Sequence, residues 1–288
     1  ASWAGDGLDP LREKLRSPDK WARAAAVEEL ARTGTKEAWA LVLGALADPK
    51  GEVADVAQLA LGTLEEPRAL EAFAKEAGLR AKDRLVRVRA AEALGRLPKS
   101  PPTRWFERAL EDEDAEVRRM ASWSLERRGL AQTLDEKTRL AVLEEVMRAA
   151  RGEREPLGRA RALAAVCALD LAAALPLLEE ARRSKDAPVR GAAAALLPRV
   201  APGTEALARL GALAADPAPS VRRLAAEGLA GLGTCAAARL LVERLEQESE
   251  ERLVWRLVEL LQRLSGLKHR RDPRPWAAWA QRLPSDWR

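Results

Sequence analysis

Three stretches of this 288-residue chain are near copies of one another. Asp114-Ala-Glu-Val117-Arg118-Arg-Met-Ala121 matches Asp186-Ala-Pro-Val189-Arg190-Gly-Ala-Ala193 in its acid, its Val-Arg pair and its alanine. Both match Asp216-Pro-Ala-Pro-Ser-Val221-Arg222-Arg-Leu-Ala225-Ala226-Glu-Gly-Leu229. Weaker copies lie at Asp19 to Leu30, with Arg23 in the arginine slot, and at Val88-Arg89-Ala-Ala-Glu-Ala-Leu94-Gly95. Successive anchor arginines fall about 30 residues apart, or a small multiple of that, which is the period of a helical-hairpin repeat.

The residues around each anchor read as helix. Val221, Leu224, Ala225, Gly228, Leu229 and Leu232 trace one face at helical spacing, and Val117, Met120, Ala121, Ser124 and Leu125 trace its counterpart. Asp48-Pro49 and Asp216-Pro217 suit the turns between helices, because Asp caps and Pro tolerates the turn and the first helical positions. Gly34, Gly95, Gly129 and Gly233 stand where the second helix of a hairpin should stop. Strands find no support: Ile and Tyr are absent, Val is scattered, and no alternating run is bounded by hairpin turns.

These residues resemble the HEAT repeat family, in particular its bacterial, PBS-lyase-type form with the pattern D-P-x-x-x-V-R-x-x-A-A-x-x-L-G. The resemblance runs from about Leu8 to Gly266. It implies an all-α fold, a right-handed α-solenoid of about eight helical hairpins that binds partners, usually proteins, along an extended face. The copies at Val53 and at Pro156 to Asp170 lack the Val-Arg pair. The resemblance also implies that Arg89, Arg118, Arg190 and Arg222 bond acidic or backbone groups of adjacent repeats, a planar guanidinium being suited to bidentate pairing with a carboxylate. The alternative is that one or two of them face a ligand carboxylate. Leu264-Ser265-Gly266 followed by Trp276 and Trp279 looks like the tryptophan-bearing tail that closes such arrays. The expected division is therefore residues 1–266 as the array and 267–288 as a basic capping tail.

Composition narrows the partner. The chain carries 49 Lys and Arg against 44 Asp and Glu, for a net charge of +5. From Arg263 onward seven basic residues face two acids, so the tail holds the whole excess and the body is neutral. Nucleic-acid binding is disfavoured on that ground, since phosphate neutralisation needs a basic face. The missing Ile, Asn and Tyr share AT-rich codons, so the abundance of Arg reflects a GC-rich coding bias before it reflects phosphate recognition. No apolar stretch is long enough to span a bilayer. The numbering opens at Ala1, as removal of an initiator Met, signal-peptidase cleavage or trimming of a longer chain would produce, and two sparse cysteines fit either compartment. The expectation leans to an exported or periplasmic protein.

A search for chemistry finds little. His269 is the single histidine and sits in the basic tail. No ligand cluster has metal spacing, and no nucleophile elbow, P-loop or dinucleotide fingerprint is present, so no metal, cofactor or catalytic residue is expected. Cys167 lies in an Ala/Leu-rich helix and Cys235 at a helix start, both suited to packing. The tryptophans and arginines are better candidates, because Trp and Arg dominate binding hot spots. Trp123 falls at a normally polar position of its helix, with Arg119 one turn before it; Trp105 lies in the preceding helix and Trp21 beside the Arg23 anchor. The alternative is that these indoles fill gaps between repeats. Lys268, Arg270 and Arg271 form a compact basic run able to meet an acidic protein or an anionic surface. The expected function is a noncatalytic protein-binding scaffold or an accessory subunit of a larger assembly. An enzyme on the same kind of solenoid is the alternative, since HEAT-like repeats also occur in DNA glycosylases and chromophore lyases.

Overall fold

Capping acids set the starts of the helices. Asp19, Asp83 and Asp114 each stand in extended backbone and accept backbone N–H bonds from residues two or three positions on. Glu155 and Asp170 accept in the same way from Gly158 and Ala173. The structure, a computed structural model, describes residues 7–201 and 203–287. Among the described residues it is all-α, with no strand.

The chain divides into two compact units between Ala149 and Ala150. The first contains α1 (Asp9–Lys14), α2 (Lys20–Thr33), α3 (Lys36–Gly44), α4 (Gly51–Ala60), α5 (Pro67–Phe73), α6 (Arg84–Ala93), α7 (Thr103–Leu110) and α8 (Ala115–Ala131). Helix α9 (Glu136–Gly152) carries the division. The second contains α10 (Pro156–Leu169), α11 (Leu171–Ala181), α12 (Ala187–Val200), α13 (Gly203–Leu213), α14 (Pro219–Leu232), α15 (Cys235–Gln247), α16 (Glu251–Ser265) and α17 (Pro273–Gln281).

Each unit has two rows of helices. In the first, α2, α4, α6 and α8 pack one against the next, with α3 and α5 in contact in the other row. In the second, α10, α12, α14 and α16 form one row, while α13, α15 and α17 follow one another in the other. The even-numbered helices pack closely because their inner stripes are small or branched. Val117, Ala121 and Leu125 of α8 are buried, as are Val189, Ala193 and Leu197 of α12 and Val221, Ala225 and Leu229 of α14. Burying one such Val or Leu contributes about 1.5–3 kcal/mol.

Helix ends follow the glycines in part. Gly34, Gly233 and Gly266 take the left-handed conformation that stops α2, α14 and α16. Gly129 does not stop α8, contrary to expectation. That helix continues to Ala131 and ends at Gln132, whose φ is 52°. Gly95 is needed for closeness instead: a Cβ there would lie 3.0 Å from the Ser124 Cα, where the Ser124 hydroxyl donates to the Ala91 and Glu92 carbonyls at 2.7 and 3.0 Å.

One register also differs from expectation. The sequence holds two overlapping pairs, Val86-Arg87 and Val88-Arg89, and Arg87 is the anchor. It stands four residues after the capping Asp83, as Arg23, Arg118, Arg190 and Arg222 stand four after their own cap positions. Arg89 points elsewhere, donating to the Leu46 carbonyl.

Candidate functional site

The anchor position explains one recurring set of arginines on this fold. A side chain four residues into a helix lies over the loop that precedes that helix. Nη1 of Arg190 accordingly donates to the carbonyls of Ser184 and Lys185 at 2.8 and 3.0 Å, and its Nε and Nη2 reach both carboxylate oxygens of Asp216. Arg222 repeats the geometry, bonding the Asp216 and Pro217 carbonyls and, at 2.9 and 2.7 Å, the Glu248 carboxylate. Asp216 is thus shared, its carboxylate by one arginine and its carbonyl by the next. Arg23 and Asp48 form the same bidentate pair in the first unit, and Arg87 pairs with Asp112. Each of the four acids also accepts the backbone N–H two residues on, which fixes the loop before the next helix.

Sequence reasoning missed one rung. Arg159 pairs with Asp186 although glycine precedes it in place of valine. Its position four residues after Glu155 is the signal that identifies it. These arginines are structural, and the ladder removes them from the pool of ligand contacts.

Electrostatics follow the same pattern. Burial alone would raise the Asp216 carboxyl, but the Arg190 guanidinium and the Ala218 N–H outweigh it and hold it below 3.8. Burial is likewise overcome at Glu248, by Arg222 and the Glu250 N–H, and at Asp48 the Arg23 hydrogen bond dominates. Arg128 lies outside the ladder. It is 1% exposed, and burial, with the like charge of Arg127, pushes its pKa down to about 10. Its guanidinium is held by the Leu94, Leu97 and Lys99 carbonyls and by the Thr133 hydroxyl.

The tryptophans separate into distinct settings. Trp21 of α2 is 63% exposed, with the Lys20 ammonium 4.9 Å from its ring centre. Trp123 of α8 is half-buried beneath the Arg96 and Arg127 guanidinium groups, at 5.4 and 5.8 Å, which ties α8 to the turn after α6. Arg119 pairs with Glu116 on its own helix. Trp105 of α7 is 8% exposed and packs against Phe73 of α5, their rings 5.8 Å apart. Arg119 and Trp123 thus lie one turn apart on α8, while Trp105 is on α7 and Trp21 on α2. Lys268, Arg270 and Arg271 are exposed, while their backbone is held by bonds from Gln262 to the His269 carbonyl and from Trp276 to the Arg270 carbonyl.

A recurrent feature was not anticipated. Two residues before the ladder arginines Arg23, Arg87 and Arg159 stand Trp21, Leu85 and Leu157, the two leucines 51% exposed each, whereas Pro188 and Ser220 hold that place before Arg190 and Arg222. Counting back from the arginine would have found it. Two grooves lie among the described residues of the first unit. One, of about 560 Å³, has Trp39, Val56 and Leu59 in its wall and Glu28, Glu65, Glu66 and Arg32 around it. The other, of about 490 Å³, includes Trp105.

Among the described residues no cluster of three or more His, Cys, Asp or Glu could hold a metal ion. Cys167 and Cys235 are both buried, and the His269 ring meets Trp276 edge-on at 5.0 Å. No described helix is long and apolar enough to cross a membrane.

Comparisons with known proteins place the repeat. A family model described as HEAT repeats matches residues 8–78, 75–167 and 174–262. No curated protein sequence matches significantly. Among solved structures, the X-ray structure of YibA from Escherichia coli is 17% identical with a TM-score of 0.52, the match covering 88% of this chain and 92% of that one. That likeness is one of fold. The complex of CpcE and CpcF of phycocyanin lyase from Nostoc sp. PCC7120 is 21% identical with a TM-score of 0.42, over 92% of this chain and 97% of that one. Human deoxyhypusine hydroxylase in complex with glycerol is 21% identical with a TM-score of 0.36, over 91% and 97%.

Proposed function

Because the chain belongs to the HEAT repeat family, we propose that it is a noncatalytic scaffold, or an accessory subunit, that binds a protein partner along its repeated surface. The observation that carries this reading is the exposed apolar residue two positions before three of the ladder arginines, Arg23, Arg87 and Arg159. Trp21 and Leu85 hold that place in the first unit and Leu157 in the second. Within the first unit, large apolar side chains recurring at one repeat position offer spaced anchors, and an exposed Trp is among the side chains most enriched in hot spots. The ladder supports the same reading, since it holds the backbone beneath these residues in place before any partner arrives. Residues 267–288 act in this proposal as a cap whose basic run adds a docking point for an acidic surface.

The test is to purify the native protein, identify the chain that accompanies it, and measure its affinity for Trp21→Ala and Leu85→Ala. Trp21→Ala should weaken binding by about 2 kcal/mol without changing the melting temperature. Equal affinity of both variants and the parent would refute the reading.

A further inference from the structure

The Trp105 groove has a chemistry of its own. Its apolar part comes from Leu70 of α5, Leu79 in the turn after it, and Pro102 and Trp105 at the start of α7. Above these lie Arg80, Arg104 and Arg108, all exposed. Lys75 and Glu71 also line it but satisfy one another at 2.9 Å. Four basic side chains therefore face one acid, in a body that is neutral as a whole.

The three arginines differ from those of the frame. The ladder arginines each hold a carboxylate, whereas among the described residues Arg80, Arg104 and Arg108 make no side-chain hydrogen bond or ion pair. Their placement is nonetheless built. Arg104 and Arg108 are four apart on α7, so their side chains leave the same face one turn apart, about 5–6 Å between Cβ atoms. Arg80 is presented by a pinned turn, in which Leu79 N–H bonds the Phe73 carbonyl at 2.8 Å and Arg80 N–H bonds the Lys75 carbonyl at 2.9 Å. That turn depends on Gly78, where a Cβ would come within 2.2 Å of the Phe73 carbonyl oxygen.

We propose that this groove binds an acidic peptide segment of a partner protein, with an apolar side chain seated on Trp105 and flanking carboxylates paired to Arg80, Arg104 and Arg108. The volume falls within the range of about 300–1,000 Å³ of pockets that engulf side-chain-sized groups. Carboxylates four apart on a helix, or two apart on an extended strand at about 6.6–6.8 Å, are spaced much as the Arg104 and Arg108 Cβ atoms are, within reach of two exposed guanidinium groups. Each guanidinium can take a carboxylate in bidentate fashion. The apolar floor disfavours a purely ionic ligand, because a phosphate backbone brings nothing to fill it. A bilayer is disfavoured because the apolar surface is recessed below the charges rather than raised above them. The groove shares no residue with the Trp21 row and does not depend on it.

The experiment uses the full chain and fluorescence anisotropy with a labelled peptide of sequence Glu-Glu-Leu-Glu-Glu-Leu-Glu-Glu. The peptide should bind, and Arg104→Ala combined with Arg108→Ala should weaken it tenfold or more at unchanged melting temperature. Replacing the peptide's leucines by alanine should weaken it severalfold, and Trp21→Ala should have no effect. Raising the salt should reduce binding to the parent more steeply than to the double variant. The proposal fails if the peptide does not bind, or if parent and double variant bind it equally. It also fails if a single-stranded oligonucleotide or a phosphatidylglycerol vesicle binds through Arg104 and Arg108 in preference to the peptide.

Discussion

Arg190 grips Asp216 across the boundary between two repeats, Nε and Nη2 reaching the two carboxylate oxygens at 2.6 and 2.9 Å. Asp216 in turn holds the Ala218 N–H at 2.8 Å and offers its carbonyl to Arg222 at 2.9 Å. One side chain therefore joins α12, the loop before α14 and the next rung. Asp216→Asn keeps the shape but removes the charge from a pair that is largely out of water. It should cost about 3 kcal/mol, and a urea titration should show it as a lower midpoint. A midpoint equal to the parent's would mean that the rung contributes nothing.

The same rungs set an acid limit. The folded-state pKa values of Asp48, Asp216 and Glu248 are lowered from 3.8, 3.8 and 4.5. A carboxyl whose folded pKa lies below its unfolded one contributes stability above the unfolded value and loses it as pH falls through the folded value. Stability from these groups should be constant between about pH 5 and 8 and decline below about pH 4. Asp216→Asn should show a shallower acid decline from a lower plateau. Melting followed across that pH range checks both the sign and the window, and a parallel decline in parent and variant would assign the acid sensitivity to other groups.

Arg128 is a deeply buried charge held by carbonyl and hydroxyl oxygens, with no carboxylate paired to it among the described residues. Its pKa of about 10 leaves it cationic at neutral pH. It serves as a side-chain cap for the exit of α6, at the Leu94, Leu97 and Lys99 carbonyls. Arg128→Ala leaves these oxygens without their donor and opens a cavity, for an expected loss of about 3–5 kcal/mol. Arg128→Lys should recover only part, because one ammonium cannot reproduce the planar fork. Amide exchange should rise first between residues 94 and 99. Full rescue by lysine would show that charge, and not geometry, is what the site requires.

The repeat and its all-helical character are legible in the sequence, because Val-Arg pairs, capping acids and small-residue stripes are local patterns. The register around Arg87 is not legible from the pair alone, since Val88-Arg89 offers an equally good match two residues later. Only the distance from Asp83 separates them. Arg159 escapes for the opposite reason, its pair having lost the valine. Trp123 could not be assigned from α8, because the groups that cover it come from Arg96 on another element as well as from Arg127. The Trp105 groove is equally non-local: Arg80 and Arg104 are far apart in the chain, and the packing of Phe73 on Trp105 brings their elements together.

The C-terminal segment supports a prediction that separates stability from binding. Helix α17 packs on α15 and continues its row, so it covers the side of α15 that it packs against. Trp276 is fully buried there, its indole N–H donating to the Arg270 carbonyl at 2.7 Å and its ring meeting those of His269 and Trp279. Arg239 of α15 fastens the far end through the Ala280 and Leu283 carbonyls. Ending the chain after Gly266 should therefore expose the face of α15 and lower the melting temperature. Trp276→Ala should do much of the same alone, at about 3–5 kcal/mol. Lys268, Arg270 and Arg271 take no part in that packing, for their side chains are exposed and the fold uses the backbone carbonyl of Arg270. Replacing all three by glutamine should leave melting unchanged while weakening association with an acidic partner at low salt. The difference should fade as the screening length shortens from about 10 Å at 0.1 M salt to about 3 Å at 1 M. Loss of stability in the triple variant would show that the basic run belongs to the cap, and unchanged low-salt affinity would show that it is not a docking point.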